Sequence, residues 1–260
     1  MSSLLRPGES PRALDARLRR SRLLLAGGFA AFIALLLAAD HFASYPQQLL
    51  LGVLTWAVLL AAVARLPSER RAQVVGVVLF ATIAEFSGSI LWGVYRYRLH
   101  NLPLFIPPAH GIVFLTGLAL ATALRRHGQV LVALAASTST LWGLLGLTVL
   151  PHRDVAGAVG VPLLLLFLWR SRNRALYASV FLVVASLELY GTAIGTWHWA
   201  ATLPGLGIPD GNPPSGVASG YVWFDVMALL VAPALAPLVS ARARRTPSES
   251  EPPHPTSTPA

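Results

Sequence analysis

Two glutamates stand deep inside apolar stretches, and each opens nearly the same phrase. The first reads Glu85-x-x-Gly88-x4-Gly93-x-Tyr95-Arg96-Tyr97 and the second Glu188-x-x-Gly191-x3-Gly195-x-Trp197-His198-Trp199. A Leu-Pro step follows each (Leu102-Pro103, Leu203-Pro204), then a Pro-Pro step (Pro107-Pro108, Pro213-Pro214). An acid at mid-bilayer costs roughly 2.5–3.5 kcal/mol on insertion scales, so an embedded carboxylate reads first as a functional group. Low dielectric penalises the charged form of a carboxyl group, which lets a buried acid keep its proton near neutral pH and donate it. That is the chemistry needed to protonate an isoprenoid double bond. The cation so formed needs shielding by aromatic faces, and Tyr95, Tyr97, Trp197 and Trp199 lie just beyond the acids.

The supporting residues follow from helical spacing, in which i, i+3, i+4 and i+7 share a face. Glu85, Gly88, Ser89 and Trp92 form one such stripe, and Glu188, Gly191, Thr192 and Gly195 the other. The reading is a narrow cavity with acids in its wall, and its bland competitor is a tightly packed helix pair. Glu85, Glu188 and Asp225 are the candidate catalytic acids. Trp92, Tyr95, Tyr97, His110, Trp197, His198, Trp199 and Asn212 are the candidate substrate contacts. The loop 203–216 is too rich in glycine and proline for a helix and is expected to fold over the cavity. Its Asp210 and Asn212 are polar candidates for the site, but turn formation is the role that their types favour. No HExxH or close His-x-His spacing calls for a metal, and no phosphate-cradling or dinucleotide glycine loop calls for a cofactor.

The elements that position these groups are membrane helices. The chain is 55% hydrophobic with a mean hydropathy of +0.61 and 12% charged residues. Its apolar runs have bilayer-spanning length. Eight spans are predicted, at 23–39, 48–64, 73–95, 110–124, 129–150, 155–169, 175–197 and 218–239. The net charge of +9 is carried entirely by arginine and not lysine. All but Arg96, Arg98 and Arg153 fall in the N-terminal segment, the 65–71, 125–126 and 170–174 loops, or the 242–245 stretch. That alternation is the positive-inside pattern, with both termini cytoplasmic. It points to the bilayer and its anionic lipids as partner and argues against nucleic acid. The expectation is a multi-pass cell-membrane protein of bacterial inner-membrane type. Cleavage of a signal near Ala38-Ala39 would leave seven spans, whereas duplication of the chain requires the first helix to stay. Cysteine is absent, which excludes disulfides and thiolate chemistry.

The predicted fold class is therefore an all-α membrane bundle of about eight helices in two parallel four-helix repeats. The expected divisions are an Arg-rich cytoplasmic segment 1–22, four-helix units at 23–124 and 125–239, and a disordered tail 240–260. A short surface helix is expected over Ala13–Arg22. Nothing in the sequence sets an oligomeric state.

The stretch from Glu85 to Tyr97, with Leu102 to Gly111, resembles the carotenoid-biosynthesis membrane proteins. That family includes carotenoid hydratases and is related in kind to the lycopene cyclases. The shared features are the Glu-x-x-Gly opening, the Gly-x-Tyr-x-Tyr segment and the proline-rich turn. The chain departs from the family in lacking its phenylalanine-rich segment, in having Ala109-His110 where tryptophan stands after the turn, and in lacking a Pro-x-Glu-Glu motif. The resemblance implies a lipid or isoprenoid substrate, Glu85 as proton donor, and Tyr95 and Tyr97 as pocket walls. Two other readings of the same residues are a transporter for a small solute or lipid with proton-coupling carboxylates, and a non-catalytic membrane assembly partner.

Overall fold

A computed structural model describes residues 10–241. Among the described residues the chain forms eight α-helices: α1 (Pro11–Phe42), α2 (Tyr45–Ala64), α3 (Ser68–Glu85), α4 (Ile106–Ala123), α5 (Gly128–Thr148), α6 (Val155–Arg170), α7 (Arg174–Ala193) and α8 (Val217–Ala241). Among the described residues, seven helices are long and apolar enough to cross a membrane, and α6 is apolar but 16 residues long. The protein is a membrane helical bundle. Its outer helix faces carry leucine and valine to lipid, as at Leu35, Leu50, Leu60, Val159 and Leu230.

Two expectations on helix boundaries need correction. The segment Ala13–Arg22 is no separate surface helix but the first part of α1, which starts behind Ser10, whose side chain accepts from the Ala13 N–H at 3.2 Å. Asp15 on this extension meets Arg125 and Arg126 at 2.6 and 3.0 Å and holds it to the loop before α5. The spans predicted over 73–95 and 175–197 both end earlier. Gly93 and Gly195 adopt left-handed backbone (φ 75° and 74°) and turn the chain out of each helix. Beyond them run two short strands, β1 (Tyr95–Tyr97) and β2 (Trp197–Trp199). The all-α bundle thus carries one small addition, because the two three-residue strands pair into an antiparallel ribbon. Its register is Tyr95 opposite Trp199, Arg96 opposite His198, and Tyr97 opposite Trp197. The expected tail 240–260 lies almost wholly outside the described residues.

Helices α3, α4, α7 and α8 form a closed ring, each packed on the next, with the α3–α8 seam the most extensive. Helices α1 and α2 lean on α4 from outside, while α5 and α6 lean on α7. Small residues set the close crossings. Gly76 of α3 abuts the backbone of Ala228 in α8, and Gly117 of α4 abuts that of Val180 in α7. The ring therefore joins helices from both halves of the sequence. The ribbon caps the ends of α3 and α7, and the site lies beneath it.

Candidate functional site

Each acid is clasped by its own aromatic pair. Tyr95 and Tyr97 donate their hydroxyls to Glu85 Oε2 at 2.7 and 2.6 Å. Trp197 and Trp199 donate their indole N–H groups to Glu188 Oε2 at 2.9 and 3.4 Å. The motif explains this clasp. One helical turn after the acid comes a glycine, then a left-handed glycine reverses the chain, and the aromatic residue folds back over the first glycine. A Cβ on Gly88 would meet the Tyr95 ring at 3.0 Å, and one on Gly191 would overlap the Trp197 ring. The glycine of Glu-x-x-Gly is thus the floor on which the aromatic ring lies.

The two phrases differ by one residue, x4 against x3, and the helix absorbs it. Phe86–Trp92 is π-helical, a wider turn that accommodates an inserted residue. The Val94 N–H then bonds the Gly88 carbonyl and the Thr196 N–H the Gly191 carbonyl, both at 2.9 Å. The π-turn also corrects the stripe predicted from 3.6-residue spacing. Trp92 leaves the face of Glu85, stands about half exposed, and donates its indole N–H to the Pro204 carbonyl at 2.9 Å.

Both acids line one cavity of about 260 Å³, with Tyr95, Tyr97, Trp197, Trp199, Tyr221 and Phe224 among its walls. Glu85 and Glu188 are only 6% and 4% exposed. The second oxygen of each acid meets a residue from the neighbouring helix of the ring. Glu85 Oε1 lies 3.3 Å from His110 Nε2 on α4, and Glu188 Oε1 lies 3.5 Å from the Tyr221 hydroxyl on α8. His110 and Tyr221 are each the fifth residue of their helix, and their rings stack at 4.8 Å and 13°. A side cavity of about 40 Å³ is lined by His110, Glu188, Trp197 and Tyr221.

These contacts fix where protons can sit. Indole N–H groups only donate, so Glu188 Oε2 is an acceptor and a proton on this acid belongs on Oε1. The Nδ1 of His110 is 2.9 Å from the Ile106 carbonyl, which can only accept, so Nδ1 carries hydrogen. That leaves His110 Nε2 as the ring atom facing Glu85 Oε1.

Of the residues expected at the site, Glu85, Glu188, Tyr95, Tyr97, Trp197 and Trp199 come together, and His110 joins them through Glu85. Four others neither line this cavity nor reach it through an acid. Besides Trp92, His198 points outward, because alternate residues of a strand face opposite ways. Asn212 acts on backbone, its Oδ1 accepting from the Trp199 N–H at 3.1 Å. Asp225 is buried one turn beyond Tyr221 on α8, and its Oδ2 has no hydrogen-bond partner. Tyr221 and Phe224 went unmarked in the sequence, although an aromatic residue in the opening turns of each post-Pro-Pro helix was a usable signal.

The loop after β2 is fastened in place. Asp154, at the N-cap of α6, accepts from the Gly157 and Gly211 N–H groups at 2.9 and 3.1 Å through Oδ1, and from the Ser215 N–H at 2.6 Å through Oδ2. The following residues, Gly216 and Val217, line the acid cavity. Burial, and then the Asp154 carboxylate, push the Asp210 carboxyl up to about 7. A folded-state value raised above the ordinary ~3.9 means that folding favours the protonated group, so stability falls as pH rises from about 4 to about 7 and levels above it. Thermal unfolding in detergent across that window is expected to fall for the wild type. Asp210→Asn is expected to flatten the fall, and identical pH profiles for the two proteins would refute this role.

No family model matches the chain, and neither a curated protein nor a solved structure matches it.

Proposed function

We propose that this is an integral membrane enzyme that acts on the end of an isoprenoid or carotenoid-like chain by acid-initiated hydration or cyclisation. The observation that carries the reading is the pair of buried acids in one cavity walled by six aromatic rings. At about 260 Å³ the cavity is smaller than the roughly 300–1,000 Å³ of pockets that enclose a whole drug-sized ligand. It suits one end of a long chain whose remainder lies in lipid. The likeness of Glu85–Gly111 to carotenoid-biosynthesis membrane proteins supports the same substrate class.

The residues divide the work as follows. Glu188 Oε1 delivers its proton to the terminal carbon of a C=C bond, whose π electrons form the new C–H bond and leave a tertiary cation. The faces of Tyr95, Trp199, Tyr221 and Phe224 shield that cation. In hydration, a water oxygen forms the C–O bond and releases a proton to the Glu85–His110 pair. The side cavity of about 40 Å³ is large enough for that water and offers it three polar partners. In cyclisation, an internal alkene forms the C–C bond and the same pair removes the proton. A water in the side cavity, which His110, Tyr221 and Glu188 all line, returns that proton to Glu188, so the cycle closes without a cofactor. Turnover of an acyclic polyene in D2O is expected to place one deuterium on the terminal carbon. H2¹⁸O separates the two outcomes, since only hydration adds the label. Product without deuterium would refute proton initiation.

The wider architecture belongs to the same proposal. The chain crosses the cell membrane eight times with both termini cytoplasmic, as two parallel repeats. The antiparallel ribbon centred on Arg96 and His198, the matched clasps and the equivalent places of His110 and Tyr221 support a twofold relation along the membrane normal.

A further inference from the structure

The ribbon has a second face. Tyr95, Tyr97, Trp197 and Trp199 turn inward to the acids, and Arg96 and His198 turn away. On that far side lies a depression of about 620 Å³, lined by Arg96, Arg98, His100 and His198 over the two left-handed glycines, Gly93 and Gly195. No carboxylate is among its lining residues. Arg98 is partly engaged, donating to the Asp40 and Ala43 carbonyls at 2.5 Å and standing 3.9 Å from the Asp40 carboxylate, while its Nε has no partner. Arg96 makes no hydrogen bond or ion pair with any described residue, nor do the rings of His100 and His198.

This arrangement is costly without a ligand. Arg96 and His198 are direct cross-strand partners, so an arginine and a histidine stand side by side with no acidic residue opposite either. His100 holds a left-handed backbone (φ 56°), uncommon outside glycine, at the rim of the same depression. Several N–H donors thus surround a concavity whose lining side chains include no carboxylate, and arginine's planar fork matches phosphate oxygens in particular. The arginines are otherwise concentrated at the opposite ends of the helices, so their gathering here is not the general basicity of the chain.

We infer that the outer face of the ribbon is a binding site for a phosphate-bearing anion, supplied either by a lipid headgroup or by a soluble phosphate. The inference rests on this depression alone and stands apart from the chemistry of the acid cavity. Two measurements on the full-length protein test it. In phosphatidylcholine nanodiscs, inorganic pyrophosphate is titrated while the unfolding midpoint is followed. In parallel, protein purified from mixed phosphatidylcholine and phosphatidylglycerol membranes is weighed by native mass spectrometry for retained lipid. Arg96→Gln and His198→Gln, both at exposed positions, are compared with Arg153→Gln, exposed but outside the depression. A saturable rise in midpoint that the first two variants weaken at least tenfold, and the third leaves intact, identifies a soluble phosphate. Loss of phosphatidylglycerol in the same two variants alone identifies a headgroup, and both effects together identify a site open to either source. If neither measurement separates Arg96→Gln and His198→Gln from the wild type, the site does not exist.

Discussion

Glu188→Gln is expected to lower turnover of an isoprenoid alkene by about 10²–10⁴-fold, the usual range for loss of a positioned general acid. The amide fills the same volume, and its oxygen can still accept the Trp197 and Trp199 indole N–H groups, so the clasp survives. What disappears is the transferable proton on the atom facing Tyr221. Glu85→Gln removes a different element, the carboxylate that faces His110 Nε2 and is proposed to take up the released proton, and it should slow capture or proton return more than initiation. The two variants are separable by their products. Glu188→Gln should incorporate little deuterium from D2O, whereas residual product from Glu85→Gln should carry it normally. Wild-type rates from both variants would end the catalytic reading. Uptake driven by a pH gradient, with no chemical change in the solute, would replace it with transport.

The largest expected effect on stability is at Asp154→Ala. This carboxylate is 1% exposed and accepts three backbone N–H groups, two of them from a loop more than fifty residues away in sequence. Hydrogen bonds to a charged group contribute about 1.5–3 kcal/mol each, and removing the acceptor strands the buried donors. A loss of about 3–5 kcal/mol is expected, at the upper end for single substitutions. It should appear as a lower unfolding midpoint in detergent and as faster proteolysis between Ala200 and Gly216. Asp154→Asn should fall between, since it keeps one acceptor oxygen but turns an N–H donor toward others. An unchanged midpoint for the alanine variant would show that the loop is held by other means.

The helices, the acid pair and its aromatic companions were legible in the sequence because each depends on local chemistry: apolar length, embedded charge and a repeated phrase. The ends of α3 and α7 were misjudged because apolar content continues past the residue at which the backbone turns. Gly93 and Gly195 do the turning, and hydropathy is blind to that. Trp92 was assigned to the acid's face on the assumption of a uniform helical period, which the π-turn breaks. The stack of His110 on Tyr221 and the staple at Asp154 join positions far apart along the chain, and no local pattern announces either. Asp225 is the converse case. It stands in an apolar helix like the other two acids and is buried like them, and yet it lines no part of the chamber that gathers those two.

The crossed pairing of the ring, α3 against α8 and α4 against α7, means that neither half of the chain encloses the acid cavity by itself. Each half contributes one acid with its clasp, and borrows from the other the helices that seal it. Giving the two acids different surroundings therefore needs no change of scaffold. It needs only different residues at matched places: phenols in one half and indoles in the other, an imidazole on one side of the stack and a phenol on the other.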